Sequence, residues 1–161
     1  MTVAEYNKSV EDYSDGIFRF ILKNLRNEEK AKDVVQDTYE KLWLKVEEVS
    51  AEKVKSYLYT AAYHTMIDVI RKDSRTTDFE TGKHDKPVNA EPYTGLSQIL
   101  EEAVSRLSPD QRSVIMLRDY EGYSYDEIAG ITGLTESQVK IYIFRGRMFL
   151  KNYIGSIEAV I

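Results

Sequence analysis

The sequence predicts an all-α fold: two small helical domains joined by a flexible linker, the C-terminal one containing a helix-turn-helix. Three observations carry this. Apolar residues recur at helical spacing on both sides of the middle of the chain, and no Val/Ile/Thr-rich alternating stretch of strand length competes with them. Residues 76–96, TTDFETGKHDKPVNAEPYTGL, hold Pro87, Pro92, Gly82 and Gly95 without a sustained apolar period, which marks a linker. Beyond it, three segments open with a Ser or Thr followed three residues later by Gln or Glu, the pattern of a capping box. The expected boundaries are 1–75, 76–96 and 97–161. A chain of 161 residues with 42% hydrophobic content suffices for two packed cores.

In the N-terminal part, Asn27 is placed to cap a helix whose first turn carries Glu28 and Glu29 at the positive end of its dipole. Ala31, Val34, Val35, Thr38 and Leu42 form its apolar stripe, widened by Tyr39 and Trp43, and Asp33, Gln36, Asp37 and Glu40 fall on other faces. A third helical stretch, from about Val54 to Asp73, carries Tyr57, Leu58, Ala61, Ala62, Met66, Ile67 and Ile70. It ends in Arg71, Lys72 and Arg75, cations suited to a helix C-terminus.

In the C-terminal part the helix starts are Ser108–Gln111, Ser124–Glu127 and Thr135–Gln138, with Pro109 at a first helical position. Gly122 and Gly133 precede the second and third starts, where a left-handed residue ends a helix. The last two helices have helix-turn-helix spacing. Ala129 sits at the close approach and Gly133 in the turn, with Val139, Ile128, Leu134 and Ile143 inside. With Val139, Ile143, Gly146 and Leu150 inward, the last helix leaves Ser137, Lys140, Ile141, Phe144 and Arg145 facing solvent. Apolar side chains beside cations solubilise poorly but suit contact with thymine methyls and sugars. Arg147 either reaches phosphate or pairs across the helix bundle.

Composition narrows the function. The chain is acidic, with 22 Lys+Arg against 27 Asp+Glu, so any nucleic-acid surface must be local. It lacks cysteine, and its histidines, His64 and His84, are far apart, which disfavours a metal site. No nucleophile–base constellation or phosphate-binding glycine loop is present, so neither an enzyme nor a cofactor is expected. Without a secretory segment or membrane-length apolar run, the chain reads as cytoplasmic.

Residues 107–147, LSPDQRSVIMLRDYEGYSYDEIAGITGLTESQVKIYIFRGR, resemble region 4 of bacterial extracytoplasmic-function sigma factors, the segment that typically recognises the promoter's minus-35 element. KAKDVVQDTYEKLW (30–43) resembles region 2.2, which docks on core RNA polymerase, and VKSYLYTAAYHTMIDVIRK (54–72) resembles regions 2.3 and 2.4, which open and read the minus-10 element. Three ordered motifs at family separation are more specific than any one.

The resemblance implies that Asp33, Gln36 and Asp37 meet a coiled coil of the polymerase β′ subunit, with β as a further contact. It implies that His64, Arg71 and Lys72 face minus-10 DNA, and that Ser137, Lys140, Ile141, Phe144, Arg145 and Arg147 serve the minus-35 side. His64 stands where relatives often have Asn, and Ile141-Tyr142 replace a common Ser-Arg pair, so promoter preference is not copied from relatives. One or two of Tyr57, Tyr59 and Tyr63 are expected to face outward and stack on unpaired bases. The implied partners are core polymerase, promoter DNA and an anti-sigma factor, with the free chain monomeric. A stand-alone helix-turn-helix regulator and a sigma-mimic interaction protein are the alternatives. The linker spans roughly 25 Å as a coil and up to about 70 Å extended, enough for sites two DNA turns apart.

Overall fold

The computed structural model describes residues 1–77 and 95–158. The linker expected over 76–96 falls, apart from its ends, outside the described residues. Among those described, every regular element is helical, as the sequence predicts: α1 (Val3–Leu25), α2 (Glu28–Leu44), α3 (Val54–Thr77), α4 (Gly95–Ser105), α5 (Pro109–Ile115) running into a π turn (Met116–Tyr120), α6 (Tyr125–Thr132) and α7 (Glu136–Glu158). The chain divides into two compact units, Met1–Val88 and Asn89–Ile161.

In the first unit α1, α2 and α3 pack on one another. Thr2 and Glu5 close a reciprocal capping box at the start of α1, and Arg26 ends that helix in the left-handed region with φ 54°. Ile17, Phe20 and Ile21 of α1 meet the core with Ala31, Val34 and Leu42 of α2 and Leu58, Ala62 and Met66 of α3, all fully buried. Each large side chain buried there is worth about 1.5–3 kcal/mol. Asn27 caps α2 by accepting from Lys30 N at 3.0 Å. Thr38, buried on α2, returns its hydroxyl to Val34 O at 2.7 Å, so the polar group goes inside without an unmet bond.

Trp43 departs from the expected stripe: it lies 49% exposed, while Tyr39 is buried. The physical reason is helix phase: at about 100° per residue Trp43 points about 135° away from the mean direction of Ala31, Val34, Thr38 and Leu42, against about 95° for Tyr39. Tyr39 reaches inward and donates its hydroxyl to Ser9 O at 2.9 Å, whereas Trp43, one turn on, rests edge-on against Tyr6 with centroids 5.1 Å apart.

In the second unit α7 is the common support, packed against α4, α5 and α6. Ser124 and Glu127 form a reciprocal capping box, as do Thr135 and Gln138, with bonds of 2.9 and 3.1 Å. At Ser108 the serine arm alone is present, accepting from Gln111 N at 3.3 Å. Gly133 ends α6 at φ 78°, a conformation that favours glycine, and its N–H donates to Ala129 O. Val139 and Ile143 are buried against an interior that includes Ile115, Leu117, Ile128 and Ile131. A Cβ at Gly146 would overlap the Ile115 side chain, so glycine there lets α7 approach α5 closely.

Candidate functional surfaces

The helix-turn-helix fixes what α7 presents. Of its expected inward residues Val139, Ile143 and Gly146 are buried and Leu150 is half-buried, and Ser137, Lys140, Ile141, Phe144 and Arg145 are exposed as the sequence predicts. Ile141 is 46% and Phe144 66% exposed, and Met148, 44% exposed, continues their line. Lys140 lies 3.5 Å from Glu136, one turn back, and 5.7 Å from the Tyr125 ring centroid, a ring that also carries Arg118 at 4.5 Å. Arg145 projects from the same helix as an exposed cation.

Arg147 behaves differently from the rest of the strip. Its guanidinium bonds both carboxylate oxygens of Asp119, Nη2 to Oδ1 at 2.5 Å and Nε to Oδ2 at 3.3 Å. Of the two readings open for this residue, pairing across the bundle is the one observed. The hydrogen bond to Asp119 raises the guanidinium pKa further above its ordinary value. Asp119 sits 28 residues away, in the π turn, so no local sequence signal marks it as the partner.

A second surface lies on α2. Asp33, Gln36, Asp37 and Glu40 are all exposed, together with Trp43 and the 83%-exposed Leu44. At about 100° per residue these six positions fall within one arc of about 120°. The surface is therefore acidic and amide-bearing at one end and apolar at the other. Sequence reasoning missed the apolar end. The available signal was the seven-residue spacing from Gln36 to Trp43 and from Asp37 to Leu44.

The third set lies on α3. His64 is exposed beside the Tyr63 ring, with centroids 5.3 Å apart, and Arg71 and Lys72 are exposed nearer the helix end. His64 and Arg71, seven apart, share one face. Of the three tyrosines, Tyr59 and Tyr63 are buried and Tyr57 is half-buried; Tyr59 packs with Phe20 in the core. Among the described residues no helix is long and apolar enough to cross a membrane, and no group of three or more His, Cys, Asp or Glu is placed to hold a metal ion.

Two helical units, the second built on a helix-turn-helix whose outward face mixes cations with apolar side chains, define a DNA-binding regulator. The sequence matches the family model for sigma-70 region 2 over residues 9–76 and that for sigma-70 region 4 over residues 97–150. The chain belongs to the sigma-70 family, in its extracytoplasmic-function group. It is 29% identical over 160 residues to the RNA polymerase sigma factor YlaC of Bacillus subtilis, covering 91% of this chain and 92% of that one. It is likewise 29% identical over 145 residues to SigV of the same organism, covering 88% and 86%. Among solved structures it is similar to the sigma factor RpoE of Bartonella quintana, crystallised with the anti-sigma factor NepR, with TM-score 0.83, 26% identity and coverage of 95% and 98%.

Proposed function

We propose that this sigma factor docks on core RNA polymerase through the α2 surface and directs initiation by presenting α3 to the minus-10 element and α7 to the minus-35 element. The carrying observation is the exposed face of α7 on a helix-turn-helix within the region 4 match. Asp33, Gln36 and Asp37 offer carboxylates and an amide to basic partner groups on β′, and Trp43 and Leu44 supply the apolar anchor such an interface needs. His64, Arg71 and Lys72 serve the minus-10 side. Ser137, Lys140, Ile141, Phe144 and Arg145 serve the minus-35 side, while Arg147 holds α7 to the π turn. The roles divide between residues 1–75 and 97–161, with 76–96 between them.

Catalysis belongs to the polymerase, and this chain supplies selection alone, in the cytoplasm. The anti-sigma factor bound to the RpoE relative supports a partner of the same class here. Run-off transcription with purified core polymerase across a promoter pool tests the reading. Promoter-dependent transcripts that appear only with the chain support it. Stable binding to a palindromic duplex without any effect on core polymerase overturns it and favours a stand-alone regulator.

A further inference from the structure

The outward face of α7 has an internal order. At about 100° per residue, Ser137, Ile141, Phe144 and Met148 run along its centre line, Lys140 and Lys151 flank one side and Arg145 flanks the other. All seven are exposed. A helix lying in a major groove about 12 Å wide turns its centre line to the base edges and its flanks to the two phosphate walls. On this helix the flanks are cationic and the centre, beyond Ser137 at its start, is apolar.

Three of the groups able to read bases by hydrogen bonds, Gln138, Glu136 and Arg147, are engaged elsewhere, and Arg145 lies on the flank rather than on the centre line. Oε1 of Gln138 accepts from Thr135 N at 2.9 Å and from the Thr135 hydroxyl at 3.2 Å, which removes the acceptor that a bidentate contact to adenine requires. Glu136 lies 3.5 Å from Lys140, and Arg147 is held by Asp119. The only major-groove feature that an isoleucine and a phenylalanine recognise is the C5-methyl of thymine.

We infer that Ile141 and Phe144 make this a methyl reader: the minus-35 sequence is selected through thymine C5-methyl groups under these two side chains, while Lys140 and Arg145 hold the phosphates without base preference. This rests on the assignment of α7 to the minus-35 element made above. Phosphate contacts position a protein on the duplex and carry no sequence information. Discrimination among promoters therefore falls to the apolar pair.

The test uses holoenzyme reconstituted from the full chain and core polymerase. A promoter library randomised over the minus-35 window is selected by binding, and each thymine of the winning sequence, on either strand, is replaced in turn by deoxyuridine, which removes the methyl alone. The expected result is a loss of about fourfold in affinity at one or two clustered thymines, the worth of one buried methyl, and a loss near unity elsewhere. Ile141→Ala and Phe144→Ala, both at exposed positions, each abolish the thymine–deoxyuridine difference at one of these positions. Lys140→Ala weakens both forms equally. A selected window in which thymine and deoxyuridine are equivalent everywhere, or which contains no thymine, overturns the methyl reader and leaves the sigma reading standing. A holoenzyme that selects no minus-35 sequence overturns both.

Discussion

Trp43 and Tyr39 lie one turn apart on α2, and their fates differ because Trp43 falls further round the helix from the buried stripe, while Tyr39 can bring its ring in with its hydroxyl satisfied. Its bond to Ser9 O satisfies a buried polar group, and burial pushes its phenol well above the ordinary value of 10.0. A phenol whose folded pKa is raised stabilises the fold fully below pH about 10 and progressively less as pH rises beyond it. Urea unfolding at pH 8 and at about pH 10.5 checks this: Tyr39→Phe should lose about 1 kcal/mol at pH 8 and show a shallower alkaline decline than the natural chain. Trp43 remains at the surface beside Leu44 and next to the acidic cluster. Trp43→Ala should weaken core-polymerase binding by about 2 kcal/mol, the scale of an aromatic hot spot, with helical circular dichroism unchanged. Equal affinity for both proteins would remove Trp43 from the interface. Apolar periodicity puts Trp43 in the core because it does not distinguish an aromatic at the edge of the buried stripe from one just beyond it. The same limit hid Asp119, whose pairing with Arg147 depends on tertiary approach.

At the scale of elements, the sequence was most legible where local chemistry decides. The caps of α2, α6 and α7 and the left-handed Gly133 lie where the Asn, Ser, Thr and Gly pattern puts them. So do the inward and outward faces of α7, since a 3.6-residue period is enough to sort them. The π turn at Met116–Tyr120 had no such signal, because its register follows from packing rather than from a capping residue. Nor did the surplus tyrosines of α3, where helical spacing admits both a buried and an exposed set. Gly146 joins these two kinds of information: spacing puts it inward, and the structure adds that the Ile115 side chain occupies the space a Cβ would need. Gly146→Ala should destabilise the chain by about 1–3 kcal/mol through overpacking, and the added change Ile115→Val should recover part of that loss. Thermal unfolding of the single and double variants measures it. A single variant as stable as the natural chain would show that α7 does not depend on this close approach.

For the whole molecule, charge sets the mode of action. Between residues 134 and 153 there are four cations, Lys140, Arg145, Arg147 and Lys151, against Glu136, and the structure commits Arg147 to Asp119. With about three cations left on α7 for phosphate, the logarithm of the C-terminal unit's own DNA affinity should fall with the logarithm of salt at a slope of about −3 or shallower. That supports only weak binding to duplex. Two weak readers gain affinity by effective concentration when something fixes their separation, and in the proposed function the core polymerase is the body that would do so. The most direct measurement is the affinity of a labelled promoter duplex, and of a scrambled one, for the free chain and for holoenzyme at about 0.15 M salt. The expected result is weak, nearly sequence-blind binding by the chain alone and strong preference for the promoter only in holoenzyme. A free chain that prefers the promoter as strongly as holoenzyme does would contradict it.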